Sequence, residues 1–495
     1  MSERLRRLLP RSARLRAGLA ALVALAIAAL ALAGYLYERH RTGNVYHPHA
    51  RFIAQPTPKL PARGRERFAW PLFGYDVEHT RFFPAPARVH PPFRKLWQHD
   101  EHALLEFPPV MYGERIFQLA DDATLIATDK HSGRQLWTRR LGELSASAPA
   151  VTANTVYATV LSSGGGPQPG RVWALDSGTG QTRWTRGLPA PSESSPLLAD
   201  GKVFFGTQSG LVYALDARDG SVLWTYQAPG AVKASPTLSA GVLYFGDYSG
   251  HVQAISEQTG RRLWISGSEG ALLGSGTFYS TAAVVYGRVF LGNTDGRMYA
   301  YDAATGKLDW AVQTGAYVYA SPAVTNAPGL GPTLYAGSYN GTFYAFNARS
   351  GQVSWSFDAH GRISGSATIV GRTVYFADLG LHRTYGLGIS TGRLLFEMHT
   401  GAFDPVISDG QDIYLTGTSG LYALAPRPSA RPATPATPAT PATPATPVTP
   451  ATPVTPASPV PAAPASVTPD PVSPGPVSPG PKTTLSERFD TEPGD

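Results

Sequence analysis

Short apolar runs alternate with clusters of Gly, Asp and Ser along most of the chain, and the whole pattern recurs at intervals of 40 to 47 residues. In one copy the apolar runs are Ser195 to Leu198, Lys202 to Thr207, Leu211 to Asp216 and Ser221 to Tyr226. Between them stand Asp200-Gly201, Ser209-Gly210 and Asp219-Gly220. Apolar runs of this length bounded by turn residues predict strands, and a glycine at each turn supplies the positive φ that a tight hairpin needs. Seven copies centre on Gly133, Gly180, Gly220, Gly260, Gly306, Gly351 and Gly392. Four antiparallel strands repeated every 40-odd residues predict the blades of an all-β propeller.

The most regular part of each copy has mechanical uses that need no ligand. A tryptophan follows four residues after the glycine, at Trp137, Trp184, Trp224, Trp264, Trp310 and Trp355. Each can bury roughly 150 to 250 Å² by wedging between blades, with the alanine of the phrase small enough to accept it. The aspartates Asp129, Asp176, Asp216 and Asp302 precede turns whose backbone N–H groups a carboxylate can accept. The chain ends add a blade. An eighth copy, from Asp404 through Ile413-Tyr414-Leu415 to Leu421-Tyr422-Ala423-Leu424, lacks its last strand, and Arg94 to Gln98, with Trp97 lying 40 residues before Trp137, supplies it. The expected architecture is an eight-bladed β-propeller over residues 69–425, closed by strands from both ends so that no sheet edge is left open.

The phrase Ala-x-Asp-x-x-Thr-Gly-x-x-x-Trp resembles the tryptophan-docking repeat of the pyrroloquinoline quinone (PQQ)-type propellers, through six copies from Ala127/Gly133/Trp137 to Ala345/Gly351/Trp355. The seventh departs, with Gly386 and Phe396 in place of Ala and Trp. Trp70 to Asp76 with Thr80-Arg81 looks like the lead-in that many members carry before their first blade. That superfamily holds quinoprotein dehydrogenases, barrel-assembly lipoproteins and sensor ectodomains, so the resemblance implies a fold and leaves function open. For a dehydrogenase it implies PQQ with calcium over the channel and a carboxylate base. No Cys-x-x-Cys-His is present to attach a haem, since the chain has no cysteine. The same absence excludes a lipid-modified N-terminal cysteine and any disulfide.

Charge and hydropathy place the ends. Residues 1–68 hold 13 Lys/Arg against 3 Asp/Glu, so of the formal charge of +7 the remainder carries minus 3. A basic balance confined to one end argues against a nucleic-acid surface. Residues 1–16 are basic; Ala17 to Tyr37 are 21 uncharged, mostly apolar residues, long enough for a single transmembrane anchor. Arginines before that stretch predict a cytoplasmic N-terminus and an extracytoplasmic propeller. A signal peptide cleaved after Ala33 is the competing reading, and it gives a secreted propeller. Residues 38–68 are linker. Residues 426–495 form a Pro/Thr/Ala-rich tail with prolines on every third position from Pro432 to Pro459, a composition that predicts disorder or an extended polyproline II spacer.

Candidate chemistry gathers where the connections between blades crowd one mouth of the channel. These connections carry Glu106, Glu193, Lys233, Tyr317, Tyr319, Arg362 and Asp404. They read either as a funnel for a small molecule or partner loop, or as ion pairs that plug the channel. Two of the insertions that lengthen the repeats, Ser162 to Gly170 and Gly267 to Phe278, emerge on the same face; Asn326 to Pro332 emerges opposite. His99-Asp100-Glu101-His102 reads as a polar loop and not a metal site, and no Walker, Ser/His/Asp or His-Glu-x-x-His motif occurs. The sequence therefore predicts a non-catalytic, monomeric binding or scaffold propeller of the bacterial cell envelope, without cofactor or metal, anchored in the membrane and engaging envelope proteins or cell-wall components. The alternative is a PQQ-dependent dehydrogenase or PQQ-binding sensor with calcium.

Overall fold

A computed structural model of the chain describes residues 22–32, 44–47, 52–54, 68–162, 168–268, 276–403 and 406–427. Eight sheets stand in sequence around a ring. Blades 1 to 7 span residues 110–140, 150–188, 197–227, 237–267, 283–313, 323–358 and 368–398. In blade 3 the strands Leu197–Ala199, Lys202–Gly206, Leu211–Asp216 and Val222–Gln227 run antiparallel in chain order from the channel outward. Blade 8 takes Val406–Ser408, Ile413–Thr416 and Gly420–Pro426 from one end of the fold and its outer strand, Phe93–Asp100, from the other. The predicted shared blade is thus present, with Trp97 opposite Ala423 as the other tryptophans stand opposite their alanines.

The repeated residues earn their positions through one arrangement. Each outer-strand tryptophan donates its Nε1–H to a backbone carbonyl of the next blade: Trp97 to Lys130, Trp224 to Glu257 and Trp264 to Ala303 at 2.9, 3.0 and 3.0 Å, with Trp137, Trp184, Trp310 and Trp355 doing likewise. The indole lies on that blade's turn glycine. A Cβ on Gly260 (φ +68°) would sit 2.7 Å from Trp224, so the glycine is needed both for its left-handed backbone and for the close approach. The alanine has a different task from the one the sequence suggested. It is the cross-strand neighbour of its own blade's tryptophan, and it also faces an aromatic of the second strand, as Ala254 faces Trp264 and Tyr244. Its short side chain lets the two rings meet, with centroids 5.9 Å apart for Tyr244 and Trp264 and 5.8 Å for Phe204 and Trp224. In blade 7 a Cβ at Gly386 would come within 2.8 Å of the Tyr375 ring, which meets Phe396 at 6.1 Å. The departing copy keeps the arrangement with a smaller ring and a smaller spacer.

Asp129, Asp176, Asp216 and Asp302 accept turn N–H groups as expected, Asp176 from Gly178 and Thr179 at 3.0 Å each and Asp302 from Ala304 and Thr305 at 3.1 and 2.8 Å. The carboxyls of Asp129 and Asp176 are held below their ordinary range, chiefly by the Ser132 hydroxyl and the Arg183 guanidinium respectively.

The lead-in peptide is the feature that the repeat pattern did not place. Ala69–Trp70 adds a strand to the inner edge of blade 1, and Phe82–Phe83 runs parallel to the inner strand of blade 7. Between them the peptide circles the channel. Carbonyls of Pro71, Val77, Glu78, Thr80 and Arg81 accept the N–H groups of Val151, Leu238, Val284, Val324 and Ile369, on blades 2, 4, 5, 6 and 7. Leu72 packs with Leu197 of blade 3, and Arg88 donates to the Gly410 carbonyl beside blade 8 at 3.1 Å. The peptide enters and leaves beside the turns between first and second strands, where Gly113 donates to Phe68 and Gly371 to Phe83. It therefore seals one end of the channel and ties the inner strands together by backbone bonds.

Near the N-terminus residues 22–32 are helical and exposed. The rest of the predicted span 17–37 lies outside the described residues, as does the tail beyond residue 427. Among the described residues no helix is long and apolar enough to cross a membrane.

Candidate functional site

With one end of the channel closed, the open mouth lies on the face that carries the inter-blade connections and the turns between second and third strands. Its wall begins with a belt of buried hydroxyls at the starts of the inner strands. Ser195 accepts the N–H of Ala148 at 2.9 Å, Thr281 that of Ser235 at 3.1 Å, Ser321 that of Thr281 at 3.0 Å and Ser366 that of Ser321 at 3.1 Å. Each bond crosses from one blade to the next, satisfying backbone groups that strand pairing leaves over. Below the belt lie buried groups of the lead-in. The Arg81 guanidinium sits 3.9 Å from the Phe73 ring centre, and Phe73 meets Phe107 edge-on. His79 Nδ1 lies 2.9 Å from Thr237 Oγ1; burial and then Arg81 push its pKa down to about 3. Asp76 holds the N–H and hydroxyl of Thr80, yet burial pushes it up to about 7.

Four of the seven residues that the sequence assigned to the funnel stand on one aromatic shelf. Tyr317, Tyr319 and Arg362 meet around Tyr339: Tyr319 packs on Tyr317 at 5.7 Å and on Tyr339 at 5.6 Å, both edge-on, and the Arg362 guanidinium stands 5.3 Å from the Tyr339 ring centre. Tyr279 joins Tyr319 at 5.9 Å and Tyr248 joins Tyr279 at 6.2 Å. Lys233 reaches this row from the other side, 4.5 Å from the Tyr248 ring centre. The result is a continuous shelf of five tyrosines with a cation at each end, built from turns and connections of blades 3 to 7. Tyr317 is its most open ring, at 36 % exposure.

The carboxylates have other duties. Glu193 Oε1 accepts Gln208 Nε2 and lies 3.4 Å from Lys233 Nζ, both charged side chains being largely buried. Glu106 is buried at the start of blade 1, and Asp404 lies outside the described residues. The expected mutual ion pair is therefore present at Glu193–Lys233, while the seal across the channel is made by the lead-in peptide. Of the two insertions on this face, residues 163–167 and 269–275 lie outside the described residues; the third, residues 328–330 between strands of blade 6, emerges opposite as expected. As a calcium cradle the described residues fall short, because no three acidic or histidine side chains converge and Glu193 already neutralises a lysine. His99 to His102 form separate local contacts, His99 with Glu101 at 3.6 Å and His102 with Asp100 at 4.0 Å.

Tyr248, Tyr279 and Tyr339 were missed in the sequence. Tyr248 and Tyr339 occupy the same turn position in Gly246-Asp247-Tyr248-Ser249-Gly250 and Gly337-Ser338-Tyr339-Asn340-Gly341, so superposing the repeats at that turn would have found two of them.

Comparison with known proteins agrees with this architecture. The family model described as outer membrane protein assembly factor BamB matches residues 94–186, 168–378 and 248–431, which overlap to cover all eight blades. The chain belongs to that family. Among solved structures, BamB from Moraxella catarrhalis is similar over 68% of this chain and 100% of its own, at 17% identity and a TM-score of 0.55. The quinohemoprotein alcohol dehydrogenase from Comamonas testosteroni is similar over 73% and 81%, at 14% identity and 0.60. A europium-containing methanol dehydrogenase is similar over 73% and 98%, at 13% identity and 0.58. No curated protein matches the sequence. At these identities the solved structures show the fold alone, one shared by an outer membrane protein assembly factor and by dehydrogenases.

Proposed function

We propose that this BamB-family propeller is a non-catalytic binding scaffold of the cell envelope that holds a protein partner on its tyrosine shelf. The observation that carries the reading is the shelf itself: five contiguous tyrosines flanked by Lys233 and Arg362 at the open end of a channel sealed at the other. Tyrosine and arginine are the residues that dominate protein interfaces, because a rigid ring offers much contact area for little lost conformational freedom and keeps a hydroxyl for hydrogen bonding. Glu193 is already paired with Lys233 and accepts a hydrogen bond from Gln208, which favours binding over use as a catalytic base.

The apolar stretch Ala17 to Tyr37, preceded by six arginines, supports a single anchoring helix with the propeller outside the cytoplasm. The described helical turns at 22–32 fall within it. The proline-rich tail is read as a spacer on the envelope side.

Site-specific photo-crosslinking from position 317 in intact cells tests the function. The expected result is a discrete crosslinked partner that is lost in Tyr339→Ala and Arg362→Ala and retained in Arg218→Ala on the opposite face. Capture that is indifferent to the shelf variants would overturn the reading. So would alcohol-dependent dye reduction by the purified chain supplied with PQQ and calcium.

A further inference from the structure

The N-terminal linker does not leave the propeller at an arbitrary point. Val45–Tyr46 pairs antiparallel with the outer strand of blade 5, Leu308–Gln313, with Val45 opposite Ala311 and Tyr46 opposite Trp310. Asn44 Oδ1 accepts the Gln313 N–H at 2.9 Å, and the His47 N–H donates to the Asp309 carbonyl at 2.8 Å. Gln313 ends the outer strand at the mouth face and Asp309 stands near its other end, so the linker descends the blade edge away from the mouth. It finishes on the opposite face. There Ile53 donates to the Tyr286 carbonyl at 3.0 Å, Phe52 stacks on Tyr286 at 5.0 Å, and the Arg288 and Arg349 guanidinium groups lie 5.1 and 4.5 Å from the Phe52 ring centre. This is a strand-addition strap, a segment held by backbone bonds to a sheet edge and fastened by a side-chain latch.

The strap fixes the side from which the N-terminal segment departs. Residue 32 and Asn44 are 12 residues apart, a reach of at most about 40 Å for an extended chain. Without the strap the free length would run to Phe68, 36 residues from residue 32, or about 120 Å, and either face could turn to the membrane. Charge does not favour the mouth as a seat for anionic headgroups, which needs a basic cluster: residues beyond 68 net minus 3, and Lys233 and Arg362 are engaged by Glu193 and Tyr339.

We propose that the strap on blade 5 holds the tyrosine-lined mouth facing the bilayer, so that the shelf meets the membrane-proximal part of its partner. This rests on the anchored reading given above. The natural absence of cysteine allows a direct test with the full chain in nanodiscs carrying a headgroup acceptor dye. A donor is attached at Pro229→Cys, exposed on the mouth face, or at Gln258→Cys, exposed on the opposite face. The two faces lie about 20 Å apart along a six-residue strand, and the mouth label is expected to transfer about twofold more efficiently. Adding His47→Pro and Phe52→Ala, which remove the His47–Asp309 backbone bond and the latch, is expected to erase that difference while the unfolding midpoint and nanodisc retention stay near those of the parent. Equal or reversed transfer in a chain retained by the nanodiscs overturns the orientation alone, as does a difference that survives release of the strap. A chain that fails to enter nanodiscs overturns the anchored reading and the orientation together.

Discussion

At the scale of single residues, glycines that look alike in the repeat do unlike work. Gly201 and Gly260 both have positive φ, +73° and +68°, but a Cβ on Gly201 meets nothing within 4 Å whereas one on Gly260 strikes the Trp224 ring at 2.7 Å. Gly201→Ala is therefore expected to cost about 1 kcal/mol, the conformational penalty of a left-handed residue, and Gly260→Ala distinctly more; paired denaturant titrations give the difference, and equal losses would show that the indole yields freely. A second residue-scale effect concerns pH. Asp76 has a folded pKa raised to about 7 by burial, so the folded state holds its proton more tightly than the unfolded chain. Its stabilising contribution is complete below the unfolded value near 4 and is lost as pH rises towards 7. His79 acts oppositely: with its folded pKa lowered to about 3, it destabilises the fold as pH falls from about 6.5. Between about pH 4 and 6.5 the two effects offset, so Asp76→Asn should leave a melting temperature that rises with pH over that window, and an unchanged slope would mean that the carboxyl is already ionised in the fold.

At the scale of the blade, the unit of packing is a row of three side chains, an aromatic of the second strand, an alanine of the third and the tryptophan of the fourth. Ala254→Val should push the Tyr244 and Trp264 rings apart and cost roughly 1–3 kcal/mol, as overpacked cores do, read as a lower unfolding midpoint with the ring still closed. The row explains which parts of the fold were legible in the sequence. Tryptophan, glycine and the turn aspartate recur at fixed spacing, so strands, blade count and the shared eighth blade could all be read. The second-strand partner varies between Phe117, Tyr157 and Tyr375, and its role appears only when the strands pair. The site was legible in part for the same reason. Tyr317, Tyr319, Lys233 and Arg362 stand in connections whose location follows from the topology, while Tyr248 and Tyr339 stand in turns between second and third strands, and that their rings join Tyr279 and Tyr319 in one row appears only when the blades pack. The lead-in left no periodic trace, since its backbone bonds are spread over blades 1, 2, 4, 5, 6 and 7.

For the whole molecule, closure is the property on which everything else depends, and it rests on contacts between residues more than 300 apart in sequence. Phe93–Asp100 covers the edge of Gly420–Pro426, from Pro426 opposite Phe93 to Gly420 opposite Asp100, and Arg427 Nε donates to the Phe93 carbonyl at 3.1 Å. Remove that strand and blade 8 presents an open row of N–H and C=O groups, the template on which a second chain pairs. Remove only what precedes residue 68 and the ring loses the strap on blade 5 but keeps the lead-in seal and its closing strand. A chain beginning at Phe68 is therefore expected to sediment as a folded monomer, and one beginning at Glu101 as oligomers or aggregates with a lower unfolding midpoint. The contrast separates closure from simple loss of length, because the longer chain lacks 67 residues of the sequence and remains sound. A monomeric, fully stable product from the shorter chain would mean that eight blades are held by their tryptophans and hydroxyl belt alone, with the shared strand an ornament of the fold.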